Sequence, residues 1–317
     1  MKILNLEPYN YSSEAKRTLE DIGEVFEGPY SRSELIDSIS TFDVLIVRLG
    51  HLIDKEVLAE ASNLKYILSA TTGLNHIDCD YCYDKGIEIV SLKNEFSFLN
   101  QIYATSEHTW ALLLSLIRKV PQAFASVRDN NWDRDIFKGS ELNGKTIGII
   151  GLGRIGKQVA NFAQVFGMRV VTYTADSPVP NSKIKYLNSI EEVFQISDIV
   201  SIHLPLESET KRLIGEEQFR VIKKPIILIN TSRGEIIDED ALLSALDNGK
   251  ISAAAVDVLD SETDPEFLSK SVLIAYSKKH DNLLITPHIG GATYESMEKT
   301  EIFIAKKLVT ILGEKHG

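Results

Sequence analysis

Cysteine is scarce, with only Cys79 and Cys82 in 317 residues. A disulfide framework, which small secreted folds use in place of a large core, is therefore not expected. Cys79-Asp80-Tyr81-Cys82 does form a CxxC with His76 close by. A structural zinc site needs four ligands, however, and no second Cys/His pair stands at a suitable spacing. Both cysteines are read as ordinary residues of a buried segment, and no metal is expected. Basic charge is also short: 34 Lys+Arg against 45 Asp+Glu leave a formal net charge of −11. A general nucleic-acid binder needs a basic stripe to replace the counterions around phosphate, so that class is excluded, although one local basic pocket for an anionic ligand is not. Apolar runs are too short as well, since none approaches the roughly 18–20 residues of a membrane span. The start, Met1-Lys2-Ile3-Leu4-Asn5-Leu6-Glu7, is interrupted too soon for a signal peptide. No membrane association is expected, and the cytoplasm is the default location.

What remains is an ordinary globular composition, 44% hydrophobic and 25% charged, in a chain long enough for two domains. Short β-branched runs alternate with helical patterns, the mark of parallel strands joined by crossover helices. Early strands are expected at Asp43–Arg48, Leu64–Ser69 and Gly86–Val90, with helices at Ser33–Ile39 and Asp54–Ala61. Ser106–Val120, apolar at i, i+3 and i+4 positions, predicts a helix. A second series of six strands follows: Thr146–Ile150, Arg169–Tyr173, Ile199–His203, Ile226–Asn230, Ala253–Val258 and Leu283–Thr286. Six in one series suit a complete dinucleotide-binding sheet. The last segment, Thr293–Leu312, reads as a helix that returns to the N-terminal unit. The expected architecture is α/β: two doubly wound parallel-sheet domains, a Rossmann cofactor domain inserted into a flavodoxin-like substrate domain.

Directly after Lys145–Ile150 stands Gly151-Leu152-Gly153-Arg154-Ile155-Gly156, and a helical run over Lys157–Phe166 follows. GxGxxG alone is a weak signal, but here it has the strand–turn–helix context that dinucleotide binding demands. Gly151 permits the tight turn, Gly153 lets backbone approach a pyrophosphate, and Gly156 allows close helix-to-strand packing. The ribose hydroxyls call for an acid about 20 residues further on, and Asp176 is there. Asp176 does not directly follow Tyr173, so a solvated loop position is the alternative reading. No basic residue lies between Val170 and Ser182 to meet a 2′-phosphate, which favours NAD over NADP.

Hydride transfer at C2 of a small 2-oxo acid needs a cation for the carboxylate and carbonyl, best supplied by the planar fork of Arg. It needs a group titrating near neutrality for the hydroxyl proton, usually His, and a carboxylate beside it to hold tautomer and proton. Candidates stand at strand ends of the second series: Arg233 after Ile226–Asn230, Asp257 and Glu262 after Ala253–Val258, and His288 after Leu283–Thr286. Loops at strand carboxyl ends face the crevice that holds the cofactor in such sheets. Singly each is a common loop residue; together, downstream of a nucleotide loop, they form a constellation.

These motifs resemble, over nearly the whole chain, the D-isomer-specific 2-hydroxyacid dehydrogenase family. Gly151–Gly156 resembles its nucleotide loop, Leu228–Asp238 its arginine signature, Asp257–Glu262 its glutamate segment and Pro287–Thr293 its histidine segment. Thr71–Asp78 is similar to its substrate-carboxylate loop, and Glu107-His108-Thr109 to the start of its interdomain helix. A glycine loop at position 151 separates the chain from the L-specific lactate and malate dehydrogenases, which carry theirs near the N-terminus.

The resemblance implies Arg233, Glu262 and His288 as catalytic residues, with His288 as acid/base and Glu262 supporting it. It implies an NAD site formed by Thr72, Gly151, Gly153, Arg154, Ile155, Gly156, Thr174, Asp176, His203, Leu204, Pro205, Thr231, Ser232, Arg233, Asp257 at the nicotinamide end, His288, Gly290 and Gly291. For substrate it implies Arg233, His288 and the backbone of Thr72, Gly73 and Leu74. Arg48, at a strand end, is a candidate reader of a distal phosphate or carboxylate, with a plain surface role as the alternative. Implied boundaries are 1–101 and 288–317 for the substrate domain and 102–287 for the NAD-binding domain; a homodimer through Ser106–Val120 is implied too. Two positions depart from the family pattern. Thr174 stands where an acid usually follows the strand's Tyr, and Thr263-Asp264 separate Glu262 from Pro265. No segment resembles the regulatory module of many phosphoglycerate dehydrogenases, so amino-acid feedback is not expected. Phosphoglycerate, glycerate or glyoxylate, and lactate-like acids all stay open as substrates. Formate oxidation fits less well, because Glu262 stands where that relative has Gln. An NAD(H)-sensing, corepressor-like binding protein is the alternative from another class.

Overall fold

Residues 1–175, 183–262 and 264–316 are described by a computed structural model. The chain divides into two compact units, one of residues 1–101 and 292–317, the other of residues 102–291.

The first unit holds strands β1 (Lys2–Asn5), β2 (Glu24–Glu27), β3 (Val44–Ile46), β4 (Tyr66–Ser69) and β5 (Glu88–Ser91). They pair in parallel in the order β2-β1-β3-β4-β5, the flavodoxin-like winding. The inner strands β3 and β4 are buried at every position, as a sheet covered on both faces requires. Their connecting helices start where Ser12, Ser31, Asp54 and Asp78 accept from first-turn N–H groups. The helix Tyr294–His316 closes this unit, and its Ile304, Ala305 and Leu308 pack into one core with Ile3, Leu19, Val44 and Leu68. Cys82 is buried but Cys79, at the first turn of helix Cys79–Lys85, is exposed, so only one of the two is a core residue.

The second unit is a parallel sheet of seven strands, not six: β6 (Thr146–Ile150), β7 (Arg169–Tyr173), β8 (Ile184–Tyr186), β9 (Ile199–Ile202), β10 (Ile226–Asn230), β11 (Ile251–Val256) and β12 (Leu283–Ile285), ordered β12-β11-β10-β9-β6-β7-β8. The extra strand, β8, is a three-residue edge with no fully buried position, too short and too polar to show a strand pattern. Neighbouring residues feed opposite faces. Ile150, Leu228 and Ala254 join one core with Phe194 and Leu242; Ile149, Ile229 and Ala255 join another with Leu112, Leu113 and Val159. Strand β6 pairs with β7 on one side and β9 on the other, so the winding reverses at its carboxyl end. Such a reversal opens a crevice for ligands.

The helix expected over Ser106–Val120 is two helices, Ala104–Ile117 and Val120–Arg128. Lys119 between them takes φ +52°, and Pro121 falls in the first turn of the second helix, where a missing N–H costs nothing. Pro287–Gly291 stays with the second unit. The His288 N–H donates to the Asp257 carbonyl, and those of Ile289 and Gly290 donate to its carboxylate.

Candidate active site

The nucleotide loop begins where β6 ends. Gly151 takes φ +91°, and a Cβ there would lie 2.5 Å from the His203 carbonyl oxygen, so no L side chain fits. A Cβ on Gly156 would meet the Gly151 oxygen at 2.2 Å, which explains the third glycine by helix-to-turn packing. Gly153 differs: a Cβ added there meets nothing within 4 Å, so the space above this backbone is open. Gly153 is also the N-cap of helix Arg154–Val165 and supplies no side-chain cap. Open space over a helix start that has no side-chain cap, at a sheet's switch point, is a cradle for a pyrophosphate, and the residues present fit a dinucleotide. The Arg154 guanidinium donates to the Ile102 carbonyl at 2.9 Å. Ile155 packs on the core beneath, so both serve the loop's shape through their side chains.

Beside the loop, burial pushes the His203 imidazole down to about 3, and its Nε2 lies 2.8 Å from the Ser201 hydroxyl. That ring is a neutral wall near neutrality. Leu204 packs on the core of the opposite sheet face, with Ile150 and Leu228, and the Pro205 carbonyl accepts from the Thr210 hydroxyl at 2.7 Å. Thr174 directly follows β7, while Asp176 lies outside the described residues.

Asn230 builds the arginine loop. Its Oδ1 accepts from the Ser232 N–H at 3.0 Å and hydroxyl at 2.7 Å, while its Nδ2 donates to the Arg233 carbonyl at 2.9 Å. Gly234 shows why glycine follows: a Cβ would lie 2.0 Å from the Leu259 carbonyl carbon. The arginine loop is thereby pressed against the backbone that leads to Glu262. Burial lowers the Arg233 guanidinium from its ordinary value, and the nearby Glu262 and Glu235 oppose that shift. Arg233 and Glu262 are thus electrostatic neighbours.

Glu262 also reaches the histidine. Its Oε1 is hydrogen-bonded to His288 Nδ1, and its Oε2 accepts the Leu259 N–H at 3.0 Å. A carboxylate held this way fixes which imidazole nitrogen carries a proton toward it and leaves Nε2 for other work. His288 itself takes φ +53°, a left-handed backbone that non-glycine residues adopt only when their surroundings impose it. Arg233, Glu262 and His288 therefore converge around one carboxylate, beyond the carboxyl ends of β10, β11 and β12.

Three further expected residues have well-defined surroundings. Asp257 is 1% exposed, and its carboxylate is committed to the Thr286 hydroxyl, His108 Nε2 and the N–H groups of Ile289 and Gly290. These bonds hold the histidine turn from within. The Arg48 guanidinium bonds Glu301 and the Tyr9 carbonyl, both within the first unit. In the Thr72–Leu74 loop, the Thr71 hydroxyl donates to the Gly73 carbonyl at 2.8 Å. Among the described residues the N–H groups of Thr72, Gly73 and Leu74 have no acceptor. Asn230, Gly234, Thr286 and His108 lie in stretches named from the sequence, which assigns them no supporting role. His108 falls in the polar first turns of helix Ala104–Ile117, where one more polar side chain gives no signal.

A doubly wound sheet with an anion cradle at its switch point defines a dinucleotide-binding α/β protein. Residues 110–290 match the D-isomer specific 2-hydroxyacid dehydrogenase, NAD binding domain, family. The chain belongs to the D-isomer-specific 2-hydroxyacid dehydrogenase family. Hydroxypyruvate reductase of Thermotoga maritima is 32% identical over 290 residues, which cover 92% of this chain and 91% of that protein. D-3-phosphoglycerate dehydrogenase of Methanocaldococcus jannaschii is 36% identical over 316 residues, 98% of this chain but 57% of that protein. The chain spans about half the length of the phosphoglycerate dehydrogenases it matches. The crystal structure of D-lactate dehydrogenase from Aquifex aeolicus, complexed with NAD and lactic acid, matches with a TM-score of 0.82 at 28% identity, over 99% of this chain and 97% of that one. No helix among the described residues is long and apolar enough to cross a membrane.

Proposed function

We propose that this protein is an NAD-dependent dehydrogenase acting on a small D-2-hydroxy or 2-oxo acid. The observation that carries this reading is the meeting of Arg233 and His288 at Glu262, beside the nucleotide loop's sheet. NAD(H), bound on the Gly151–Gly156 loop with Thr174, His203–Pro205, Thr231, Ser232 and Gly290–Gly291 about it, would exchange a hydride with C2 of the acid. Arg233 binds the carboxylate and polarises the C2 oxygen, and its desolvated fork makes that contact strong. The N–H groups of Thr72, Gly73 and Leu74 are assigned to the same carboxylate. His288 Nε2 gives its proton to the C2 oxygen in reduction and takes it back in oxidation. Glu262, accepting from Nδ1, stabilises the imidazolium while the proton is held. The absence of a basic residue from Val170 to Ser182 supports NAD over NADP.

Two copies are proposed to pair through helices Ala104–Ile117 and Val120–Arg128, where Val120, Phe124 and Val127 leave an apolar face exposed. The test of function is steady-state turnover of a panel of 2-oxo acids with NADH. Turnover of at least one D-product-forming acid is expected. Saturable NADH binding without turnover of any of them would overturn the reading in favour of a sensor.

A further inference from the structure

The left-handed backbone of His288 needs an explanation, because a β-carbon in that region is disfavoured by about 1 kcal/mol or more. What holds it is Asp257. The His288 N–H donates to the Asp257 carbonyl at 2.8 Å, and the next two N–H groups donate to its carboxylate at 2.9 and 2.7 Å. The turn is therefore as well placed as that carboxylate. The carboxylate in turn is gripped from a different element. His108, on helix Ala104–Ile117, sets Nε2 at 3.2 Å from Asp257 Oδ1 and 3.1 Å from the Thr286 hydroxyl, and that hydroxyl donates to the same Oδ1 at 2.6 Å. The imidazole is 15% exposed and the carboxylate 1%, so water competes little for the contact. Gly290 closes the arrangement: a Cβ there would stand 2.9 Å from Asp257 Oδ2 and 3.8 Å from the His108 ring. One residue further along the helix, the Thr109 hydroxyl lies 2.8 Å from that of Thr231, two residues before Arg233. A single helix face thus touches the supports of both chemical loops.

We propose that His108 is a positioning residue, whose Nε2–H locks the Asp257 carboxylate and through it the backbone turn that aims His288. The inference rests on the reading of His288 as the acid/base, but its structural half can be measured without turnover. The decisive comparison is His108→Ala against His108→Gln, since a glutamine amide can restore an N–H donor near the position of Nε2. In H108A, kcat for 2-oxo acid reduction is expected to fall about 10²-fold, with the KM of the acid and NADH affinity little changed. H108Q is expected to recover most of the loss. In parallel, the downfield proton resonance of the His288–Glu262 hydrogen bond, assigned by its loss in Glu262→Gln, should disappear in cofactor-free H108A and persist in H108Q. Wild-type kcat and an intact resonance in H108A would overturn the proposal. So would equal losses in H108A and H108Q, which would make the ring mere filling. Should H108A not fold, Thr286→Val, which removes the shared hydroxyl, must lower kcat in the same sense, and unchanged kcat there would overturn it. If the wild type turns over no 2-oxo acid while the resonance behaves as stated, the acid/base reading fails and the positioning role stands.

Discussion

Each unit holds a cation–carboxylate pair that ties distant segments together, and the two pairs have opposite characters. In the first unit Arg48 meets Glu301, whose side chain is 2% exposed; the second oxygen of Glu301 accepts the Ser12 N–H at 2.7 Å, and the Tyr11 ring packs against the guanidinium. Burial raises the Glu301 carboxyl above its usual range despite Arg48 and Ser12, so the pair is a closed structural tie from a strand end to helix Tyr294–His316. In the second unit Glu262 meets His288 with 26% and 22% of the side chains still exposed, on loops beyond strand ends. The chemistry of the groups is similar. What separates the two is access for a third party: the second pair stays open to one, as the proposed acid/base role of His288 requires.

The sharpest way to break this comparison is His288→Ala. A loss in kcat of roughly 10²–10⁴-fold is expected, with NADH binding measured by fluorescence largely kept. A fully active variant would remove the distinction between the pairs. Arg48→Met should behave inversely. Leaving Glu301 buried without its partner should cost about 3–5 kcal/mol in urea unfolding, while KM for substrate stays near the wild-type value. A large rise in KM would place Arg48 at the substrate site, and Arg48→Met with Glu301→Leu should regain much of the stability. Gly234→Ala tests the approach of the two chemical loops. Its methyl would overlap the Leu259 backbone, so a loss of about 1–3 kcal/mol with a parallel fall in kcat/KM is expected.

The smallest effect concerns acid stability and Asp257. Burial alone would raise its carboxyl, but hydrogen bonds from His108, Thr286, Ile289 and Gly290 outweigh it and hold the group below the ordinary carboxylate range. Its contribution is therefore fully present above the unfolded value of about 3.9 and is lost as pH falls through the lower folded one. Asp257→Asn should be less stable than wild type near neutrality, with the gap narrowing below about pH 4. A gap independent of pH would mean that charge is not what holds the histidine turn.

Much of this was legible before any coordinates. The glycine loop could be read because turn and helix-start chemistry is local, and Arg233, Glu262 and His288 because each follows a strand whose apolar run is plain. The tie between Arg48 and Glu301 could not be read, since Glu301 lies far along the chain and nothing near residue 48 reveals it. Asp257 was marked as functional, yet its role depends on where the N–H groups of residues 289 and 290 fall, a tertiary fact. The edge strand Ile184–Tyr186 lacks a buried pattern, and the break at Lys119 lies inside a run whose periodicity continues on both sides.

The closing helix has a consequence for biosynthesis. Ile304, Ala305 and Leu308, together with the carboxylate that pairs with Arg48, leave the ribosome after residues 102–291, long after the strands they cover. The first unit is thus completed only after the second, and until then its nascent sheet lacks part of its apolar cover and the partner of Arg48, while residues 102–291 already have every strand of their own.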